Sequence, residues 1–133
     1  FQFNAAGFAS STASTTENTA STTLNEQAKS YRAEVREYFK NDPILVDIAR
    51  CESTYRQFDK DGSVIRGKVN PKDVGIMQIN EKYHLERSKE LGYDIYTVEG
   101  NLGYAKRMYE DQGAAPWSAS QKCWGGKDVA INK

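Results

Sequence analysis

The sequence has little of what most metal-binding, redox or membrane proteins rely on. It holds one histidine and two cysteines, too few for a zinc site of the usual Cys-rich kind. No metal and no cofactor are expected. No apolar run approaches the roughly 20 residues that cross a bilayer, so no membrane span is expected. Lys plus Arg and Asp plus Glu each number 18, giving a formal net charge of zero. General nucleic-acid binders are normally basic, and no nucleic-acid partner is expected, although a local basic patch stays open. There is no Asn-x-Ser/Thr acceptor, no internal repeat, no initiator Met and no charged-then-apolar leader. A start at Phe1 fits a cleaved signal peptide or a trimmed chain equally well.

What is present fits one domain with one core, since 133 residues are too few for two ordinary domains. Aromatics reach 11%, with eight tyrosines, which suits a groove for sugar rings as well as ordinary half-buried packing. Cys51 and Cys123 leave two readings, buried free thiols or one disulfide. Both flank the same candidate site, and the disulfide is the expectation. Closing a loop of about 70 residues is worth roughly 4 kcal/mol in the chain-entropy model, and it implies an oxidising, extracytoplasmic location.

From Ala9 to Thr23, ten of fifteen residues are Ser or Thr. Such a tract cannot build a core and reads as an extended arm over residues 1–23. Phe1, Phe3 and Phe8 precede or border it. They are either a linker remnant or anchors that dock on a neighbouring subunit, a route to self-assembly.

The remaining chain divides into a domain over 24–124 and a tail over 125–133. A helix is predicted from near Leu24 or Asn25, with Leu24, Ala28, Tyr31, Val35, Tyr38 and Phe39 at helical spacing. Asn41-Asp42-Pro43 ends it and opens a second helix to about Ser53, with Asp42 as N-cap and Pro43 in the first helical position. A polar hairpin with Asp61-Gly62 at its turn follows. Asp59 and Asp61 resemble the start of a calcium loop, but the later ligands are missing. Gly67–Asn70 reads as a short third strand stopped by Pro71. Asp73–Asn80 reads as an extended stretch in which Ile76, Met77 and Ile79 are core. Gln78 and Asn80, of equal parity, then aim their amides into one cleft. Further helices are predicted over Glu81–Leu91, ending at Gly92, and from the Thr97 cap to Gly113. Ser118 reads as the cap of a last short turn reaching Cys123-Trp124. The fold class is α+β, mostly α, with a small hairpin region beside a cleft.

Glu52 is the residue that points to chemistry. On the second helix Ile44, Leu45, Ile48 and Ala49 spread over one arc, and Glu52 falls inside it. Burying a charge is costly, so such a carboxyl holds its proton toward neutral pH, the state a general acid needs. The alternative is a helix-end Glu that bends to solvent or pairs with Arg50 or Arg56. Asp73 is a second carboxylate or simply a turn residue after Pro71.

The motifs resemble the lysozyme-like superfamily. Glu52-Ser53-Thr54-Tyr55 is similar to the Glu-Ser-x-aromatic motif of soluble lytic transglycosylases, which carry the transglycosylase SLT domain. Gly75-Ile76-Met77-Gln78 is similar to their Gly-Leu-Met-Gln motif, and Glu99–Ala105 to their third, helical motif. Cys51-Glu52-Ser53 with Trp117 and Cys123 resembles resuscitation-promoting factors. Asp61-Gly62 and Asp73–Asn80 resemble animal-type lysozymes, in which the position of Asp73 holds the second catalytic carboxylate. The likeness covers roughly Ile44 to Trp124. It departs near the C-terminus, where Trp117-Ser118-Ala119-Ser120 replaces a Tyr-Asn motif.

The resemblance implies a lysozyme-like fold and cleavage of peptidoglycan between N-acetylmuramic acid and N-acetylglucosamine. It implies Glu52 as general acid and base, and contacts from Ser53, Met77, Gln78, Asn80 and Tyr104 to a peptidoglycan or chitin-type glycan. An extracellular or periplasmic, wall-associated location follows. Two other readings stay open. One is a structural subunit of an extracellular filament that exchanges the 1–23 arm, and the other is a glycan-binding module without catalysis.

Overall fold

The computed structural model describes residues 30–126. The 1–23 arm with Phe1, Phe3 and Phe8, the predicted helix start at Leu24 and most of the 125–133 tail lie outside the described residues. Within them the chain is mostly helical with one small antiparallel sheet, the α+β class expected. Helix α1 is Arg32–Tyr38, α2 Pro43–Ser53, α3 Glu81–Glu90, α4 Val98–Gln112 and α5 Gln121–Trp124. Strands β1 (Asp73–Val74) and β2 (Ile79–Asn80) pair in the register Asp73↔Asn80 and Val74↔Ile79. A 3₁₀ helix, Ala115–Ser120, runs into α5. Among the described residues no helix is long and apolar enough to cross a membrane.

Among the described residues helix α1 begins at Arg32, with Tyr31 as its N-cap residue. The Tyr31 N–H is spent on the Tyr55 carbonyl at 2.7 Å, which ties it to the turn after α2. Helix α1 buries Val35, and Phe39 just past its end is also fully buried. Pro43 opens α2 as expected, but the Asp42 side chain does not cap it. That carboxylate instead pairs with Lys106 Nζ of α4 at 2.9 Å. Ile44, Leu45, Ile48 and Ala49 of α2 are buried against the core.

Between α2 and β1 the chain forms turns more than strands. The Asp61-Gly62 turn is present, with Gly62 at φ 88° and a single bridge between Phe58 and Val64. The third strand predicted over Gly67–Asn70 is absent. Asn70 Oδ1 accepts from the Lys72 N–H and the Asn70 carbonyl from the Asp73 N–H, closing a turn around Pro71, and Val69 is fully exposed.

The extended reading of Asp73–Asn80 is also corrected, because the chain reverses at Gly75–Gln78. Gly75 (φ 76°) and Gln78 (φ 51°) take left-handed backbone, a conformation natural to glycine and strained for glutamine. Three distant side chains hold the reversal. Gln57 Oε1 accepts from the Ile76 N–H at 2.9 Å, Asn101 Oδ1 from the Met77 N–H at 2.8 Å, and Trp117 Nε1 donates to the Met77 carbonyl at 2.9 Å. Buried side-chain bonds in this number outweigh the local preference of Ile76-Met77 for strand.

The helix limits set by local chemistry match expectation. Asn80 Oδ1 accepts from the Lys82 N–H at the start of α3. Thr97 Oγ1 accepts from the Gly100 N–H at the start of α4. Gly92 (φ 86°) and Gly113 (φ 66°) end these helices in left-handed turns. At the C-terminal end Ser118 does not cap. The residue before α5 is Ser120, and it makes no capping bond because its hydroxyl is engaged elsewhere. Cys51 and Cys123 form a disulfide with Cα atoms 6.0 Å apart, fastening α5 to α2.

Candidate functional site

Helix α2 delivers Glu52 at its last turn, one residue after the disulfide and one before buried Ser53. The helix then ends in two successive left-handed residues, Thr54 (φ 56°) and Tyr55 (φ 62°). Non-glycine residues in this region each cost about 1 kcal/mol or more. The buried Tyr55 side chain and the bond from Tyr31 keep the chain there. The sharp exit turns Arg56 back, so that its Nε donates to the Ser53 carbonyl at 3.3 Å.

The Glu52 carboxyl is half-buried and receives a hydrogen bond at 2.5 Å from Ser120 Oγ, the last residue of the 3₁₀ helix. Ser120 Oγ in turn accepts from Trp124 Nε1 at 3.0 Å and lies 3.1 Å from the Trp117 carbonyl. Burial holds the Glu52 pKa above the usual carboxylate range, the Ser120 bond pulls it partly back, and the charge of Asp73 adds a push upward. The result is an acid that keeps its proton to higher pH than a solvent-exposed Glu.

Asp73 stands on β1 opposite Asn80 on β2, and Asn80 Nδ2 donates to Asp73 Oδ1 at 3.0 Å. Burial raises the Asp73 pKa and the Asn80 bond opposes it. Asn80 therefore serves twice, its nitrogen orienting Asp73 and its oxygen capping α3.

Glu52 and Asp73 sit where two cavities meet. One cavity is about 480 Å³ and the other about 390 Å³. Glu52, Asn70, Asp73, Gln78 and Ala119 line both. The first runs past Thr54, Arg56, Arg66, Lys68 and Ser120. The second runs past Asn80, His84, Met108, Gln112 and Trp117. Together they make a two-armed cleft with a carboxylate pair at its elbow.

The residues singled out in the sequence are not all brought to this cleft. Ser53 lines the first arm, but its side chain is almost fully buried and bonded to the Ala49 carbonyl. Gln78 lines both arms, yet its amide nitrogen is turned to the Gly75 carbonyl of its own turn. Met77 is fully buried, so its side chain is a core element, as its place in the apolar run predicts, and it does not line the cleft. Tyr104 is also buried. Its hydroxyl hydrogen-bonds His84 Nδ1 at 2.8 Å, and it reaches the second arm only through that histidine. Burial lowers the His84 pKa and so favours the neutral ring.

Sequence reasoning passed over Ser120, His84 and Lys68 as cleft residues and named Arg56 only as a possible partner of Glu52. For Ser120 the available signal was its spacing, one helical turn before Trp124 and two residues after Ser118. Among the described residues no group of three or more His, Cys, Asp or Glu is placed to hold a metal ion. No family model matches the chain, and no curated protein or solved structure matches it.

Proposed function

We propose that this chain cleaves the glycan strands of peptidoglycan, on a lysozyme-like fold, with Glu52 as general acid and then base. The observation that carries the reading is the placement of Glu52, a half-buried carboxyl at the elbow of a two-armed cleft, hydrogen-bonded by Ser120 and faced by Asp73. Its proton is retained by burial and is donated to the departing glycosidic oxygen. The sugar left behind develops positive charge at its anomeric carbon. The substrate's own acetamido and 6-hydroxyl groups then close an anhydro ring, with Glu52 taking up the hydroxyl proton. Asp73, oriented by Asn80, contributes a stabilising negative charge to the sugar cation.

In this mechanism only Glu52 is essential, and an anhydro product lacks one water relative to a hydrolysed one. If Asp73 guides water to the cation instead, the product carries that water, as in lysozyme-type hydrolysis. The disulfide fits an extracellular or periplasmic place of action. The filament reading rests on the 1–23 arm, outside the described residues.

The test is clearing of a peptidoglycan gel by the purified protein and by Glu52→Gln, with product masses from soluble digests. Clearing by wild type alone is the expected result. Equal clearing by both removes Glu52 as the acid, and no clearing by either removes the activity.

A further inference from the structure

The two arms of the cleft differ in charge. The arm shared with the α2 exit carries Arg56, Arg66 and Lys68, whereas the arm along α3 and α4 carries no Lys or Arg among its lining residues. Of the three cations, Arg66 is committed. It pairs with Glu81 at 2.6 Å and donates to the Pro71 carbonyl at 3.0 Å. Arg56 and Lys68 have no carboxylate partner among the described residues. Arg56 is nonetheless placed, because its Nε is held on the Ser53 carbonyl, and this leaves its terminal nitrogens for another group. Among the described residues, two cations without a carboxylate partner thus lie along one arm of the cleft that holds the candidate acid.

We infer that the cleft selects a glycan carrying carboxylates, and that Arg56 and Lys68 bind the carboxylate-bearing sugar in their arm while the neutral acetamido sugar lies in the other. The inference rests on the glycan-cleavage reading and deepens it. Guanidinium meets carboxylate in a paired, directional geometry, and lysine adds a mobile charge beside it. The opposite arm offers Asn80, Gln112 and neutral His84 beside Met108 and Trp117, a surface suited to hydroxyl, amide and ring faces. A neutral chitin-type chain leaves Arg56 and Lys68 without a counter-charge and forgoes their attraction. Muramic-acid residues supply that charge through the lactyl carboxylate.

The experiment uses one glycan in two charge states: peptide-stripped strands with free lactyl carboxylates, and the same strands after those carboxylates are converted to amides. For wild type, kcat/KM on the acid form should exceed that on the amide form by about tenfold, the scale of one well-placed ion pair at a cleft rim. The ratio should shrink as salt rises, since exposed pairs are screened. In Arg56→Gln/Lys68→Gln it should fall to about one. A wild-type ratio near one, or a ratio unchanged in the double variant, overturns the inference. Binding of both strand forms to Glu52→Gln reads the same preference without turnover. Loss of cleavage and loss of carboxylate selectivity therefore register separately.

Discussion

Ser120 Oγ donates a hydrogen bond to Glu52 Oε2 at 2.5 Å across a sequence separation of 68. The bond lies beside the disulfide. Cys51 is the neighbour of Glu52 on α2, and Cys123 lies on α5 directly after the segment that carries Ser120. The candidate acid and the hydroxyl that restrains it are thus locked in one geometry by a covalent link beside each. Trp124 Nε1 completes the chain by donating to Ser120 Oγ at 3.0 Å, which leaves the hydroxyl proton directed at Glu52 or at the Trp117 carbonyl.

Ser120→Ala removes the one side-chain bond that favours the charged form of Glu52. Burial and Asp73, which both favour the protonated form, remain. The pKa of Glu52 should therefore rise, and the alkaline limb of kcat/KM against pH should move to higher pH. Ser120→Thr, which keeps the hydroxyl, should restore the wild-type limb. A profile unmoved by Ser120→Ala would mean that Glu52 is not the group titrating on that limb.

How much of this was legible beforehand depends on how local the deciding chemistry is. Pro43, Thr97, Gly92 and Gly113 mark helix limits through bonds or dihedrals within a few residues, and the helices begin or end at them. Glu52 stands out for the same reason, because one turn of helix period places it on the apolar arc of α2. With only two cysteines, Cys123 is the one possible intrachain partner of Cys51, and their shared place beside the candidate site favours a disulfide over two free thiols. The reversal at Gly75–Gln78 was not legible, because Gln57, Asn101 and Trp117 impose it from 19, 24 and 40 residues away. Met77 is buried as its place in the apolar run Ile76-Met77-Ile79 predicts, and the glycan contact implied for it by resemblance is not made by its side chain. Ser120 carries only its spacing from Trp124 as a local signal, because its significance resides in Glu52, a partner on another helix. Arg56 gained meaning only from the left-handed exit of α2 at Thr54 and Tyr55, which no composition signals.

The Gly75–Gln78 reversal should be the most fragile part of the cleft wall. Asn101 is fully buried and bonds the Met77 N–H, the Val74 carbonyl and the Ile95 carbonyl. Asn101→Leu keeps the volume but strips partners from buried backbone groups, each worth about 1–3 kcal/mol. A loss of about 3 kcal/mol or more in denaturant unfolding is expected. Gly75→Ala should be equally damaging, since its Cβ would meet Gln57 Oε1 at 2.6 Å on a backbone with φ +76°. A loss under about 1 kcal/mol for Asn101→Leu would show that the turn holds without it.

Opening the disulfide should act on stability and on the site together. Cys51 and Cys123 are 72 residues apart, and constraining a loop of that length is worth about 4 kcal/mol in the chain-entropy model. Cys51→Ser/Cys123→Ser should show most of that loss in chemical denaturation. The link also seats α5 against α2, so the double variant should carry a pH profile displaced in the same direction as Ser120→Ala. Loss of stability with an unchanged profile would show that core packing of Trp117 and Trp124, both buried, suffices to hold Ser120 in place.

Glu52→Gln should separate function from stability in a way that a structural glutamate would not. The folded-state pKa of Glu52 is raised, chiefly by burial, so the folded protein binds its proton more tightly than the unfolded chain. By linkage, stability then falls as pH rises from the ordinary carboxyl value, about 4.3, through the raised folded value, because an increasing share of folded molecules must hold a half-buried charge. Gln removes that burden and retains an oxygen to accept the Ser120 hydrogen bond. The variant should therefore be more stable than wild type above this window. The advantage should shrink on acidification and vanish below the ordinary carboxyl pKa, where both chains present a neutral group. Paired unfolding curves from acid to mildly alkaline pH measure it directly. A stability difference that stays flat across this range would mean that Glu52 ionises normally in the fold, and the argument for it as a protonated acid would go with it.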